Sequence, residues 1–474
     1  AGVGSASAGA PAVADYAGRR VLVAGAGVAG AASARALLSR GAEVCVLDRA
    51  DSALLADLAC AGARIVVADS PPPGLFDGVG DVVLSPGFAP HHPLAIAALA
   101  LGLDVYSEPE LAWRLRGPDA PAWLAVTGTN GKTTTTTMLA AILAAAGLRT
   151  AALGNIGEPL VFAAVDGSLH DVVAVELSSF QLHWSSTLAP QAGALLNLAD
   201  DHLDWHGDFA AYVGAKAAIW RGTATGGTAV GNLDDPRVAA LMSTVDGRSV
   251  GFTLGEPAGP GDVGVIDGRL VEVQEYGDRA VDLAPASIVR PSGAHNVANA
   301  LAAAALARAY GVPAAAVRAG LAGYTPQAHR NAHVATVGGV DYVDDSKATN
   351  PHAAQASLTA YPRIVWIAGG QLKGVDVADL VAAVADRLAG AVLLGVDRAE
   401  IAAALARHAP QVPVVDVPGT DDGAMAEVVR AAAALARPGD TVLLAPAAAS
   451  LDMFANYGQR GNAFAAAVRA LTFS

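Results

Sequence analysis

The segment Thr127–Thr134 reads TGTNGKTT, and its residue types suit the holding of a triphosphate. It lies between an apolar run, WLAV, that reads as a strand and a run, TTTTMLAAIL, that reads as a helix. Backbone N–H groups of such a turn, and of the helix start behind it, point at phosphate oxygens. Lys132 would reach the terminal phosphates and the Thr133 hydroxyl a Mg2+ ion. Gly128, Thr129, Asn130, Gly131 and Thr134 complete the expected ATP cradle. The general pattern places a glycine six residues before the lysine, and Val126 stands there instead. Strand, turn, lone lysine and helix in that order still set this loop apart from an ordinary Gly-rich turn.

Other residues suit a metal beside those phosphates. The run DVVAV ends at Glu176. An acid at the carboxyl end of a parallel strand sits at the mouth of the sheet. Downstream, NLADDHLDWHG carries His202 and His206 four apart, and Lys216 follows His202 by fourteen residues. Zinc is disfavoured, because no third nitrogen or sulfur ligand follows at usual spacing. A bare ammonium would be repelled by Mg2+, whereas a lysine carbamate formed with CO2 would be an anionic ligand. The plainer reading of Lys216 is a salt bridge on a helix.

The N-terminal block has Gly25, Gly27 and Gly30 in a GxGxxG turn after RRVLVA, with Asp48 eighteen residues beyond Gly30. Its default reading is NAD binding, although the same turn holds other diphosphates, including that of a UDP-sugar. The C-terminal block supplies DDSKATNP, GGQLKG and PAAASLDMFANYGQRG at strand-like ends, which suit carboxylates and phosphates.

The chain contains only four lysines, Lys132, Lys216, Lys347 and Lys373, among 30 Lys and Arg. In a composition biased toward Ala, Gly, Val and Arg, solvated lysines drift to arginine. A site that needs a compact ammonium or a neutral amine cannot follow. All four are therefore candidates for chemistry. The net charge of −14 argues against nucleic-acid binding. The mean hydropathy of +0.40 raises the question of a membrane, but no window reaches the ~18 unbroken apolar residues of a span. The longest apolar run, Met138–Leu148, reads as a buried helix, and no membrane insertion is expected. Cys45 and Cys60 are expected to be buried thiols in a reducing cytoplasm. A cytoplasmic, monomeric enzyme is the expectation.

The 474 residues alternate β-branched runs with Ala/Leu-rich runs, the pattern of α/β domains with parallel sheets and crossover helices. Residues 1–18 are rich in small side chains and are expected to be disordered. They have neither the basic nor the apolar region of a signal peptide. Three domains are expected: 19–107, Rossmann-like; 108–326, a central mononucleotide-binding α/β domain; and 327–474, again Rossmann-like. Asp262–Leu283 reads as a β excursion, and the last helix as Asn462–Leu471.

TGTNGKTT, ELSSFQL, DDHLDWHG, the lysine after it and AHNVANALAAA together resemble the central domain of the Mur ligases. These are the ATP-dependent amino-acid ligases of peptidoglycan synthesis, a family that includes folylpolyglutamate synthase. DDSKATNP with SLDMFANYGQRG resembles the branch that adds D-glutamate to UDP-N-acetylmuramoyl-L-alanine. The resemblance implies that Val28, Ala29, Asp48, Arg49, Ser85 and Gly87 hold the UDP moiety and that no NAD is used. It implies that Asn155 contacts the muramoyl substrate. Two Mg2+ ions, with Thr133, Glu176, His202 and a carbamylated Lys216 as ligands, are implied as well. Asn296 and Asn299 would contact the adenine end of ATP, and Arg330 and Asp345 its phosphates and ribose. Lys347, Thr349, Lys373, Ser450 and Tyr457 would surround D-glutamate and the reacting phosphate. The family's usual acid two residues after Arg330 is absent here, where Asn331-Ala332 follows. Groups from the second and third domains would have to meet, so closure on ligand binding is expected. The rival readings are another ligase of the family, such as folylpolyglutamate synthase, and an NAD(P)-dependent oxidoreductase.

Overall fold

The structure, a computed structural model, describes residues 14–274, 280–419 and 423–471. Its contacts divide the chain into two compact units. One comprises Ala1–Ile288 with Ala298–Tyr324, the other Val289–Val297 with Thr325–Ser474.

The first unit contains two sheets. Strands β1 (Arg20–Ala24), β2 (Glu43–Asp48), β3 (Arg64–Val67), β4 (Asp81–Leu84) and β5 (Asp104–Ser107) form a parallel sheet in the order β3-β2-β1-β4-β5. Its central strand is sealed on both faces, with Val21, Leu22, Val23 and Ala24 all at 0% exposure. That burial is why the strand reads as a continuous apolar run and not as an alternating one. Strand order reverses between β1 and β4, and the loops after these two strands meet there, as expected of a ligand crevice.

The second sheet has nine strands: β6 (Ala122–Thr127), β7 (Ala152–Gly154), β8 (Val172–Glu176), β9 (Ala192–Leu195), β10 (Thr228–Asn232), β11 (Arg248–Phe252), β12 (Val263–Ile266), β13 (Arg269–Val273) and β14 (Ala280–Pro285). The order is β14-β13-β12-β11-β10-β9-β6-β8-β7. The pairs from β7 to β12 are parallel, and β12-β13-β14 is an antiparallel meander, the β excursion expected around Asp262–Leu283.

The second unit holds β15 (Ala332–Val337), β16 (Val340–Asp344), β17 (Ile364–Gly369), β18 (Leu388–Leu394), β19 (Val414–Asp416) and β20 (Thr441–Leu444), in the order β15-β16-β20-β17-β18-β19. Only the edge strand β15 is antiparallel. Apolar clusters cover both faces, one around Trp366 and Leu443 and the other around Ile367, Val442 and Phe464.

Two acids of the helix Glu108–Leu115, which follows β5, tie the sheets of the first unit together. Glu110 is fully buried. Its carboxylate accepts from the Thr187 hydroxyl (2.6 Å), the backbone N–H groups of Thr187 and Leu188 (3.1 Å each) and Arg114 Nε (2.9 Å). Burial alone would raise its pKa, but the Thr187 and Arg114 donors outweigh burial and hold it below the usual carboxylate value. Glu108 is also buried and accepts from the N–H of Val161 (2.7 Å), at the start of the helix Leu160–Val165 that follows GNIGEP. Here burial wins over the backbone donors Val161 and Leu160 and pushes the carboxyl up to about 7.

Several expectations need correction. Disorder to residue 18 does not hold from Ala14 onward, and residues 1–13 lie outside the described residues. Tyr16 is 1% exposed and its hydroxyl pairs with that of Tyr106 (3.0 Å), so a lone aromatic in a small-residue segment anchors it. Cys60 is exposed and Cys45 only half-buried, because Cys60 ends its helix on the solvent side. The last helix starts earlier, at Tyr457, where the Asn456 side chain accepts from Gln459 N (2.9 Å) and caps a turn that the glycines Gly458 and Gly461 disguise.

The Glu108 carboxyl gives a pH signature. Its folded pKa is raised, so its contribution to stability is full below the unfolded value of 4.5 and lost as pH rises through about 7. Urea unfolding of wild type and Glu108→Gln is expected to show a stability difference that falls by roughly 3 kcal/mol between pH 4.5 and pH 7.5. A difference independent of pH would show that the carboxyl is already ionised throughout that range.

Candidate functional site

Strand β6 delivers the phosphate loop, and the helix Lys132–Ala145 leaves it with its N-terminal N–H groups facing the turn. Gly128 and Gly131 have φ of 158° and 81°, and Gly131 takes a left-handed turn that a side chain resists. A Cβ on Gly131 would also overlap the Asn299 carboxamide oxygen. The loop is held from behind by Asn197, whose Oδ1 accepts from Asn130 N (2.8 Å) and whose Nδ2 donates to Asn130 O (3.2 Å). Thr129 Oγ1 pairs with the Tyr212 hydroxyl (2.8 Å) and accepts from Ala199 N (3.0 Å). Thr133 and Thr134 are buried in the first helical turn.

Two lysines converge on one carbonyl of this loop. Lys132 Nζ donates to Gly128 O and Thr129 O, at 2.9 Å each. Lys216, 2% exposed on the helix Phe209–Ala217, donates its Nζ to the same Gly128 O at 2.7 Å. Burial first, and the Lys132 charge second, hold the Lys216 amine well below the usual lysine range, against the opposing pull of Asp201 and Glu176. Lys216 is thus a buried amine of depressed basicity, and it forms no salt bridge of the kind that the plainer sequence reading allowed.

Glu176 closes β8 as the register partner of Val126, one residue before the loop. It is 2% exposed. Its Oε1 accepts from Asn155 Nδ2 (2.8 Å), while its buried Oε2 has no partner among the described residues. An acceptor oxygen left bare in a buried place fits a cation better than an apolar surround. His202 stands 3.5 Å from Asp201 (Nε2 to Oδ2) with its backbone at φ 54°. Desolvation leads in lowering its pKa, Asp201 opposes it and the Lys132 charge adds to the lowering. Among the described residues no three His, Cys, Asp or Glu side chains form a preformed metal cluster.

In the first sheet, Gly25 and Gly30 allow a close turn, since a Cβ on Gly30 would overlap the Gly25 carbonyl. Ser85 Oγ donates to Gly25 O (3.0 Å) and so joins the two loops of the crevice. Asp48 is already engaged, accepting from Ala26 N and Arg49 N at 2.6 Å each. Val28 is 75% exposed at the start of its helix, and Ala29 and Gly87 lie alongside at the surface. Asn299 reaches the phosphate loop from the helix Ala294–Ala309. Its Oδ1 accepts from Thr135 Oγ1 (3.2 Å) and lies against Gly131.

The second unit gathers the remaining residues at the carboxyl ends of β16, β17 and β20. Asp345 follows β16 and is buried, accepting from Asn331 N (3.1 Å) and the Ser357 hydroxyl. Burial raises its carboxyl to about 6. Arg330 is half-buried, and among the described residues its guanidinium donates to no protein acceptor. The missing acid after it is answered by Asn331, whose Oδ1 accepts from the Tyr361 hydroxyl (2.8 Å). Lys347 Nζ lies 4.2 Å from the centre of the Tyr457 ring. Lys373 is exposed at φ 55°. Ser450 is buried, and Thr349 N donates to Lys347 O (2.8 Å). Asn296 is 3% exposed and its Nδ2 meets His295 Nε2 (3.0 Å).

Two residues escaped the sequence reading. Arg460, 1% exposed, donates to Ser346 O (2.9 Å), Ser346 Oγ (3.0 Å), Ala448 O (3.1 Å) and Gly369 O (3.3 Å). One guanidinium thus fastens the loops after all three strands, and burial lowers its pKa to about 10. His329 Nδ1 pairs with Asp344 Oδ2 (2.6 Å), a contact that a Cβ on Gly461 would obstruct. The signal for both lay in the quoted motifs, next to Arg330 and inside GQRG, but neither type nor spacing marked them.

Comparison with known proteins adds to this geometry. The Mur ligase middle domain matches residues 126–307, and the Mur ligase, glutamate ligase domain matches residues 329–448. The chain is 53% identical to a UDP-N-acetylmuramoylalanine--D-glutamate ligase of Streptomyces avermitilis, over 96% of this chain and 99% of that protein. It is 50% identical to a protein of the same name from Mycolicibacterium smegmatis, over 96% of this chain and 97% of that one. Among solved structures, MurF from Acinetobacter baumannii aligns with a TM-score of 0.59 at 17% identity, covering 95% of this chain and 93% of that one. A pseudomurein peptide ligase type C from Methanothermus fervidus gives 0.57 at 19% identity, covering 96% of this chain and all 100% of its own. At such identities these two speak for the fold alone.

The contact between Gly131 and Asn299 can be tested directly. Gly131→Ala adds both left-handed strain and overlap with Asn299, and it is expected to weaken ATP binding more than tenfold by calorimetry. The double variant Gly131→Ala/Asn299→Ala removes the overlap but not the strain, so it should recover part of that loss. Equal affinities for the single and double variants would show that Asn299 does not brace the loop.

Proposed function

The chain belongs to the Mur ligase family, and on that premise we propose that it adds D-glutamate to UDP-N-acetylmuramoyl-L-alanine with conversion of ATP to ADP and phosphate. The proposed setting is cytoplasmic peptidoglycan precursor synthesis, where both the UDP-sugar and ATP are found. The same reading divides the chain into domains at 19–107, 108–326 and 327–474. The observation that carries the chemistry is the convergence of Lys132 and the buried Lys216 on Gly128 O, in the same unit as the unpartnered Glu176 oxygen.

The alanyl carboxylate is a poor electrophile, so it must be activated. Its oxygen attacks the γ-phosphorus of ATP, the bond to the β-bridging oxygen breaks, and ADP leaves an acyl phosphate. The D-glutamate amine then attacks the acyl carbon, inorganic phosphate departs, and the new amide nitrogen loses a proton. Positioning and charge neutralisation dominate such a transfer. Lys132 turns from the carbonyls of Gly128 and Thr129 to the incoming phosphates, which are stronger acceptors. Gly128, Thr129, Asn130, Gly131 and Thr134 cradle the phosphates. Thr133, Glu176, His202 and a carbamate on Lys216 would hold two Mg2+ ions, which when bound supply charge neutralisation at the transferring phosphoryl group. Arg330 adds a cation, while Lys347, Thr349, Lys373, Ser450 and Tyr457 receive D-glutamate. Val28, Ala29, Asp48, Arg49, Ser85, Gly87 and Asn155 hold the UDP-linked substrate.

A carbamate forms when a neutral amine attacks CO2, making one N–C bond and releasing one proton. The depressed basicity of Lys216 supplies that neutral amine. The carbamate nitrogen keeps one N–H, so its bond to Gly128 O can persist.

Phosphate release from ATP with UDP-N-acetylmuramoyl-L-alanine tests the reading. D-glutamate should support turnover, and L-glutamate should fall at least a hundredfold short. Turnover with a folate and L-glutamate instead would replace this reading with that of the folylpolyglutamate branch. Lys132→Ala is expected to abolish phosphate release. Lys216→Ala should lose activity that short carboxylates such as acetate partly restore, and absence of any rescue would count against the carbamate.

A further inference from the structure

Two tryptophans carried by the loops of the second sheet donate into the loop after β4. Trp184 Nε1 reaches Phe88 O (3.1 Å) and Trp205 Nε1 reaches Pro86 O (3.2 Å). Their residues are 6% and 8% exposed, so each indole N–H needs an acceptor, and each finds it on one side of Gly87. No role described above uses these bonds, although the DDHLDWHG motif contains Trp205.

The two differ in what stands behind them. Trp184 follows the helix Ser179–His183 as its cap. Trp205 lies in the one-turn helix Leu203–His206, which begins directly after His202. Trp205 N donates to His202 O (3.1 Å), and the Phe180 ring packs on both side chains, 4.5 Å from Trp205 and 4.7 Å from His202 between ring centres. His202 keeps a left-handed backbone, which a histidine holds only where its surroundings fix it. In one turn of helix the indole cannot shift without moving that residue.

We propose that Trp205 is a positioning residue that couples the diphosphate loop to His202. Filling the loop Ser85–Gly87 fixes Pro86, Pro86 fixes the indole, and the indole fixes the imidazole where a divalent cation is bound. The proposal rests on the reading of Ser85 and Gly87 as UDP contacts and of His202 as a metal ligand. Linkage makes the effect reciprocal, so the metal also tightens the UDP site. Trp184 grips the same loop but is separated from His202 by Phe180 and His183 and shares no turn of helix with it, so it contributes affinity for the UDP group and little to the coupling.

The test uses the full chain with ADP and Mn2+, with Mn2+ binding read by electron paramagnetic resonance. UDP-N-acetylglucosamine serves as the second ligand, since it carries a UDP group and presents no carboxylate to the metal. In wild type it is expected to tighten Mn2+ binding about threefold to tenfold, the worth of one hydrogen bond. Trp205→Phe keeps an aromatic ring against Phe180 but has no donor, and its tightening should fall to near unity. Trp184→Phe should bind UDP-N-acetylglucosamine more weakly by a similar factor, yet retain the tightening at saturation. Full tightening in a Trp205→Phe protein with wild-type melting temperature would overturn the proposal. So would a wild type that shows no tightening, an outcome that does not depend on whether the variant folds. A wild type that releases phosphate normally but shows no tightening refutes the coupling alone. One that releases none with the proposed substrates refutes the functional reading beneath it.

Discussion

A single backbone carbonyl, that of Gly128, accepts hydrogen bonds from two lysine amines. Two ammonium groups at one acceptor repel each other, and in a buried place the repulsion is poorly screened. The pair is stable when one amine is charged and the other is not. The two differ in exposure: Lys132 stands at the half-buried mouth of the loop, while Lys216 is enclosed, with the Tyr212 ring 4.8 Å from its Nζ, and burial lowers its basicity. On the proposed reading the first is the cation for phosphate and the second the amine for CO2. Tyr212 serves both, since its hydroxyl also braces Thr129 of the loop.

Backbone strain is concentrated in the candidate site motifs of each unit. Among the described residues six non-glycine residues have positive φ, and five of them, His202, His329, Asn331, Lys373 and Ala447, lie in or beside the candidate site motifs; only Asp267 lies elsewhere. Each such residue costs on the order of 1 kcal/mol or more and persists only where the surroundings hold it. The holding groups are visible in the second unit. Arg460 joins Ser346, Gly369 and Ala448, and Asp344 pairs with His329. Glycines provide the room, for a Cβ on Gly369 would meet Leu394 O and one on Gly370 would meet Ala449 O.

Much of the site was legible because its chemistry restricts residue type. A lone lysine in a Gly-rich turn and an acid ending a strand identify themselves, and the scarcity of lysine singled out Lys216 without any motif. The three sheets followed from apolar runs sealed on both faces. What stayed hidden depends on contacts between distant segments. Nothing local in Asn299 says that its carboxamide braces Gly131, and an arginine in GQRG looks like any surface arginine until three carbonyls converge on it. Tyr16 misled for a related reason. Its segment is rich in small residues and has no periodicity, and its order comes from a partner ninety residues away.

Glu108 and Glu110 show how little separates a charged from a nearly neutral acid. They lie two residues apart on one helix, both buried. Glu110 meets an arginine, two hydroxyls and three backbone donors and is held below the usual carboxylate value; Glu108 meets backbone donors alone and is pushed up to about 7. An ionised, fully bonded carboxylate is a rigid strut, because losing any one donor leaves a buried charge short of a partner. Glu110 therefore fixes the segment after β5 against the loop Ser186–Leu188. Glu108 joins the same helix to the segment that carries Asn155, and Asn155 in turn holds Glu176. The spacing between the first sheet and the loop segments of the second is thus held by buried, hydrogen-bonded carboxyl groups and not by apolar packing alone. Apolar contacts can slide by a fraction of an ångström at little expense, whereas a multiply bonded carboxylate cannot. A reaction that joins groups held in two separate loops depends on that fixed spacing.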